Sequence, residues 1–133
     1  MGSSAVKLLL DTHAVIWWMC ADPRLSATAR EAVRDPENDL LMSAASAWEM
    51  ATKHRLGKLP GVSAVLDGLA ANLRRAKIRV LPIDLDHAQT AGALPGPHRD
   101  PFDRLLMAQA HLESLTVVTV DPVFRDYGIA VLW

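Results

Sequence analysis

The sequence predicts an α/β fold, a three-layer α/β/α sandwich with a mostly parallel central sheet, and three observations carry that expectation. Two short runs, residues 6–10, apolar apart from Lys7, and residues 116–120, read as strands buried on both faces. Each run is followed by or ends beside an aspartate, Asp11 and Asp121. Helical patterns separate these runs from three shorter strand candidates, and such alternation implies crossovers between parallel strands.

Taken in order, the strand at 6–10 leads into a helical pattern at 12–19. A second helix, 26–33, follows the Asp22-Pro23 turn with Ser26 as its N-cap. A strand at 39–42 precedes a helix at 43–56 that Gly57 and Pro60 stop. A helix at 62–77, a strand at 79–83 and a helix at 85–93 come next, then a Pro/Gly-rich loop. The helix at 101–113 has Asp100 as N-cap and Pro101 at its first position. After the strand at 116–120 come a short segment, 122–126, and a final strand at 129–132. Right-handed crossovers put the C-terminal ends of parallel strands on one edge, where ligands of open α/β sheets bind. Asp11 and Asp121 belong to that edge.

With 133 residues, half of them apolar and 22% charged, the chain is expected to form one domain over residues 1–133. Met1 to Ser4 are set aside from this reading. No internal repeat or low-complexity segment breaks it up. The single cysteine, Cys20, cannot form an internal disulfide, so a cytoplasmic setting is expected. The hydrophobic run after Lys7 is far shorter than a signal peptide core or a spanning helix of about 20 residues, so no membrane role is expected. A net charge of −1 provides no global attraction to phosphate, and nucleic-acid contacts would need local basic patches.

Five acids carry the functional argument. Asp11 and Asp121 could each simply cap a turn or helix start. Glu49 sits mid-helix and could pair with Lys53 four residues on, yet small side chains such as Ala45 and Ser46 flank it and leave room for an ion. Asp100 is most simply a cap. Asp103 lies in the first turn of its helix, but Leu106, Met107 and Ala110 are its i+3, i+4 and i+7 partners, which places a carboxylate on an apolar stripe. A charge there needs a partner, either an arginine or a cation. Two carboxylates about 4 Å apart repel by roughly 4 kcal/mol at an effective dielectric near 20. All-oxygen ligation suits Mg²⁺ or Mn²⁺ rather than zinc. A phosphodiester hydrolysed by metal-activated water is the chemistry such a site supports.

In four places the sequence resembles the PIN-domain nucleases, and within them the VapC toxins of toxin–antitoxin pairs. Leu8-Leu9-Leu10-Asp11-Thr12-His13 is similar to the opening strand with its first acid, and Ser43-Ala44-Ala45-Ser46-Ala47-Trp48-Glu49 to the helix of the second. Arg99-Asp100-Pro101-Phe102-Asp103-Arg104 is similar to the third-acid segment and Val117-Val118-Thr119-Val120-Asp121 to the fourth. The four occur in order and span nearly the whole chain. The resemblance implies a PIN-like fold and an endoribonuclease in which Asp11, Glu49, Asp103 and Asp121 bind metal and carry catalysis, with Asp100 an addition left open. It implies one or two Mg²⁺ ions, or Mn²⁺, as cofactor. Its implied partners are an RNA substrate, a cognate VapB-type antitoxin and a second copy of the chain. Ser46 would be a polar support behind the ligands, or ordinary helix packing.

Other residues are read beside these. Lys53, with His54, Arg55 and Lys58, could track an RNA backbone or complement a helix C-terminus. Arg104 could contact phosphate or neutralise an acid. Arg74, Arg75, Lys77 and Arg79 read as a solvated face, and His13 as a packed histidine. Trp17 and Trp18 point about 100° apart on one helix, so both cannot face one core centre. Trp48 and Trp133 read as core or edge packing. Two rivals stand against the nuclease reading. A phosphoacceptor receiver domain would need two adjacent acids after the first strand, which are absent. A non-catalytic interaction domain of the same fold would use the acids only as caps.

Overall fold

The computed structural model describes residues 5–133, so Met1 to Ser4, set aside above, lie outside the described residues. Its five strands are β1 Lys7–Leu10, β2 Asp39–Ser43, β3 Ile78–Leu81, β4 Thr116–Val118 and β5 Val131–Leu132. Eight helices connect them: α1 Thr12–Met19, α2 Ala27–Arg34, α3 Ala44–Arg55, α4 Val62–Leu66, α5 Leu69–Arg75, α6 Leu85–Ala93, α7 Pro101–Glu113 and α8 Val123–Asp126. The sheet has the order β3-β2-β1-β4-β5, and every neighbouring pair is parallel. The chain winds outward from β1 in one direction through β2 and β3 and in the other through β4 and β5. The strand order therefore reverses beside β1, where an open α/β sheet leaves a crevice at its C-terminal edge.

Two apolar layers cover the sheet, and strand alternation assigns side chains to them. Leu8 and Leu10 of β1, with Leu40 and Met42 of β2, pack against Val15, Ala29, Met50, Val65 and Leu73 from the helices on one face. Leu9 and Leu41, one residue out of step, join Leu106, Met107, Ala110 and Phe124 on the other. The expected three-layer sandwich is thus the observed one.

Side-chain caps set the helix starts. Ser26 Oγ accepts from Ala29 N at 3.0 Å, and Ser43 Oγ accepts from Ala45 N at 3.0 Å, so Ser43 ends β2 and starts α3 at once. The expected single helix at 62–77 is instead two, α4 and α5. Asp67 is extended there and Gly68 takes φ 70°, a left-handed conformation that glycine adopts without a Cβ clash. The strand expected at 116–120 leaves the ladder after Val118, since Thr119 turns its hydroxyl to accept from Asp121 N at 3.0 Å. The strand expected at 79–83 lies at Ile78–Leu81. Trp17 and Trp18 are both half-buried against one core layer, with Trp133 edge-on to Trp17 at 5.8 Å. Of the core or edge packing expected for Trp48, the core is excluded: it is 55% exposed, edge-on to Phe102 of α7 at 4.8 Å. No helix among the described residues is long and apolar enough to cross a membrane.

Candidate metal centre

Asp11 follows the last residue of β1, and its own N–H still donates to Val118 O of β4 at 3.1 Å. The side chain then turns back as the N-cap of α1, Oδ1 accepting from Ala14 N at 2.8 Å. Burial pushes its carboxyl up to about 6, further helped by the charges of Glu49 and Asp121 and opposed by a hydrogen bond with Thr119 and by the cap. Thr119 therefore links two acids, since its hydroxyl bonds Asp11 and also accepts from the Asp121 N–H. Asp121 Oδ1 accepts from Val123 N at 3.0 Å, anchoring the turn into α8.

Glu49 lies in the middle of α3, where capping has no use for it, and is buried. Both of its oxygens are engaged: the Thr12 hydroxyl donates to Oε1 at 2.5 Å and the Lys53 ammonium to Oε2 at 2.5 Å. Burial pulls the Lys53 ammonium down, but the hydrogen bond and charge of Glu49, with Asp100 and Asp103, outweigh it and hold it above the ordinary lysine range. Asp103 stands in the first turn of α7, its Oδ2 2.8 Å from His98 Nε2. Burial again pushes this carboxyl up to about 6, with the hydrogen bond from His98 working against it and the charges of Asp100 and Glu49 with it. Asp100 caps α7 through Oδ1, which accepts from Phe102 N at 2.8 Å and Asp103 N at 3.1 Å.

One open cleft of about 450 Å³ at the C-terminal end of β1 and β4 is lined by all five acids, Asp11, Glu49, Asp100, Asp103 and Asp121, together with Thr12, His13 and Lys53. Cavities of similar size elsewhere, about 460 Å³ beside Met19 and about 510 Å³ beside Arg34, gather no acid and two acids respectively. Chemistry rather than volume distinguishes the cleft. Burial lowers the His13 imidazole, with the charges of Glu49 and Asp103 working against it, and its ring packs 5.4 Å from Trp17.

Two of the residues weighed from sequence do not line the cleft. Arg104 turns away: its guanidinium donates to Ala91 O at 2.9 Å and His98 O at 2.8 Å, and also to Leu94 O and Gly92 O. Those donors hold the 91–98 loop, and this occupies the group that sequence reading offered to phosphate. Ser46 is buried with no protein partner for its hydroxyl and is not among the lining residues. Sequence reasoning passed over Thr12, Thr119 and His98. Thr12 and Thr119 stand one and two residues from an acid, and His98 five from Asp103, which is the only signal the chain offers for them.

A second group could also hold a metal ion by spacing, Asp84, His87 and Glu113, whose ligand atoms all lie within 4.8 Å of one another. Here both imidazole nitrogens are already paired: Nδ1 accepts from Asp84 N at 3.1 Å in a capping box, and Nε2 lies 2.9 Å from Glu113 Oε2. This group joins α6 to the end of α7 and stands apart from the cleft.

A family model described as the PIN domain matches residues 8–130. The chain is 31% identical over 121 residues to Ribonuclease VapC22 of Mycobacterium tuberculosis, covering 90% of this chain and 91% of that protein. It is 44% identical over 73 residues to Ribonuclease VapC16 of the same organism, covering 52% of this chain and only half of that protein, 50%. Among solved structures, VapBC2 from Rickettsia felis bound to a DNA fragment from their promoter matches with a TM-score of 0.68 at 16% identity, covering 94% of this chain and 96% of that one. That likeness is one of fold.

Proposed function

The chain belongs to the PIN domain family, and on that premise we propose that its carboxylate cleft is the active site of a metal-dependent endoribonuclease, the toxin of a toxin–antitoxin pair. In this reading Asp11, Glu49, Asp103 and Asp121 hold one or two Mg²⁺ ions, or Mn²⁺, with Asp100 as a further ligand or only a cap. The observation that carries it is the meeting of acids from four separate segments in one cleft where two carboxyls are pushed up to about 6. Capping explains Asp11, Asp100 and Asp121, each of which spends Oδ1 on a helix or turn. It does not explain Glu49 or Asp103, which cap nothing.

The donor set fits a hard divalent cation: it is all oxygen, water-accessible and short of positive charge. When bound, such a cation draws phosphate oxygens into its shell and makes a neighbouring water more acidic, which is the chemistry hydrolysis of a phosphodiester needs. The chain's own residues orient the ligands. Thr12 fixes one oxygen of Glu49, Thr119 ties Asp11 to the Asp121 turn, and His98 holds Oδ2 of Asp103. Held in this way, the acids keep their places around the cleft, and that positioning is the fold's contribution. Residues 1–133 would form one nuclease domain, acting as a homodimer in the cytoplasm and silenced by a VapB-type antitoxin. The names of the two relatives and of the Rickettsia felis complex support this.

The test is incubation with total cellular RNA, with and without EDTA, followed by end mapping, with single-stranded DNA of matched sequence alongside. The expected result is Mg²⁺-dependent cleavage of RNA that EDTA abolishes. Asp11→Asn and Asp103→Asn are expected to lower cleavage about a hundredfold or more, since loss of even a residue behind a ligand costs about 10–100-fold, with an unchanged circular dichroism spectrum. Full cleavage by either variant would overturn the metal role. No thermal shift with millimolar Mg²⁺ or Mn²⁺ and intact RNA would favour the interaction-domain reading.

A further inference from the structure

Glu49 and Lys53 are one helical turn apart, an arrangement that on an exposed helix contributes only a few tenths of a kcal/mol, about 0.3–0.5. Here the pair is not exposed. The Glu49 side chain is 7% accessible and Lys53 29%, with Nζ and Oε2 2.5 Å apart. Five carboxylates line the cleft, and among the described residues lining it Lys53 is the one lysine or arginine. Its ammonium also feels the charges of Asp100 and Asp103 across the cleft.

Both oxygens of Glu49 are spoken for, but the two donors differ in kind. The Thr12 hydroxyl can rotate its proton away and tolerate a cation beside Glu49 Oε1. The Lys53 ammonium has three donors and no lone pair, so it cannot share Oε2 with a second positive charge at ligand distance. It rides on a flexible four-carbon stem whose head already reaches water, and so it can leave. Once displaced it remains at the wall of the same cleft, which Lys53 lines.

We propose that Lys53 is a built-in counter-ion of the carboxylate cleft: it neutralises Glu49 in the metal-free protein, competes with the divalent cation for that side chain, and on release turns to the substrate's phosphate. This rests on the nuclease reading of the same cleft. A lysine that merely orients Glu49 makes the opposite demand, since its loss would weaken cation binding. The sign of one measurement therefore decides.

That measurement is Mn²⁺ titration, followed by the electron paramagnetic resonance signal of the free ion, on the full chain, Lys53→Met, Lys53→Gln and Lys53→Arg, with Asp103→Asn for reference. Lys53→Met and Lys53→Gln are expected to bind Mn²⁺ about tenfold more tightly and Lys53→Arg within about twofold of the parent. The two neutral variants are also expected to melt at lower temperature without metal, a deficit that closes at saturating Mn²⁺. With a short RNA oligonucleotide at saturating Mn²⁺, their loss falls on KM more than on kcat. Unchanged or weaker Mn²⁺ binding by a folded neutral variant overturns the counter-ion role and leaves the nuclease reading standing. Tighter Mn²⁺ binding with an unaltered KM overturns the phosphate contact. No Mn²⁺ binding by the parent chain overturns both the proposal and the reading beneath it.

Discussion

Asp11 and Asp103 are the residues whose protonation links the cleft to stability. Both carboxyls stand near 6 in the folded protein, chiefly through burial. In the unfolded chain they return to the ordinary aspartate range, about 3.9. Below about pH 4 they are neutral in both states and cost nothing, whereas above pH 6 the folded state carries two charges it disfavours. The metal-free protein therefore loses stability as pH rises from about 4 to about 6, by up to about 2–3 kcal/mol for the buried Asp11 and by less for Asp103, which solvent partly screens. Asp11→Asn is expected to raise the metal-free melting temperature by several degrees at pH 7.5, and the gain should vanish below about pH 4. Mg²⁺ should stabilise the parent protein more at pH 7.5 than at pH 5. Differential scanning calorimetry across that range checks both, and a melting temperature for Asp11→Asn below that of the parent at pH 7.5 would contradict the account.

At the scale of the element, the loop between α6 and α7 shows how an acid of the cleft is held in place. Arg104, in the first turns of α7, donates to carbonyls of Ala91, Gly92, Leu94 and His98. Tyr127 adds a hydroxyl that accepts from His98 N at 3.1 Å. So fixed, His98 reaches Asp103, and the loop steers a side chain five residues along the chain. Arg104→Ala should cost about 2–3 kcal/mol, because it removes charge-assisted bonds to several carbonyls. Urea denaturation measures that loss, and hydrogen exchange should show it concentrated in residues 91–99. An RNA-contacting Arg104 would instead leave stability alone and raise only KM. Asp100 and Pro101 announce the start of α7 in adjacent residues, because a cap is a matter of one turn. The direction of Arg104 was not legible, since its neighbours give an arginine as good a reason to face the cleft as the loop.

For the whole molecule, the strand order matters more than any one contact. β1 is flanked by β2 and β4, and its three leucines serve both cores: Leu8 and Leu10 on one face, Leu9 on the other. Leu9 is fully buried against the α7 layer, so Leu9→Ala leaves a cavity in the layer that carries Asp103 and should cost about 3–4 kcal/mol. Urea unfolding followed by tryptophan fluorescence and by circular dichroism should give one coincident transition for this variant, shifted to lower denaturant. A loss below 1 kcal/mol would show that this layer collapses onto the missing side chain.

What the sequence determined by itself is local. Buried strands appear as apolar runs, helix starts as Ser or Asp followed by a helical pattern, and the alternation of the two as a parallel α/β sheet. All of these act over a few residues. The break at Gly68 was also local, but a glycine inside a long helical pattern is tolerated too often to announce one. Only the tertiary structure decided that Thr12 reaches across 37 residues to Glu49, that Trp48 lies at the surface, and that Arg104 serves a loop. Such pairings follow from crossover direction and sheet order, where distant segments arrive at one edge together. No short-range pattern in the chain encodes that meeting, because its energy depends on the packing of the entire sheet.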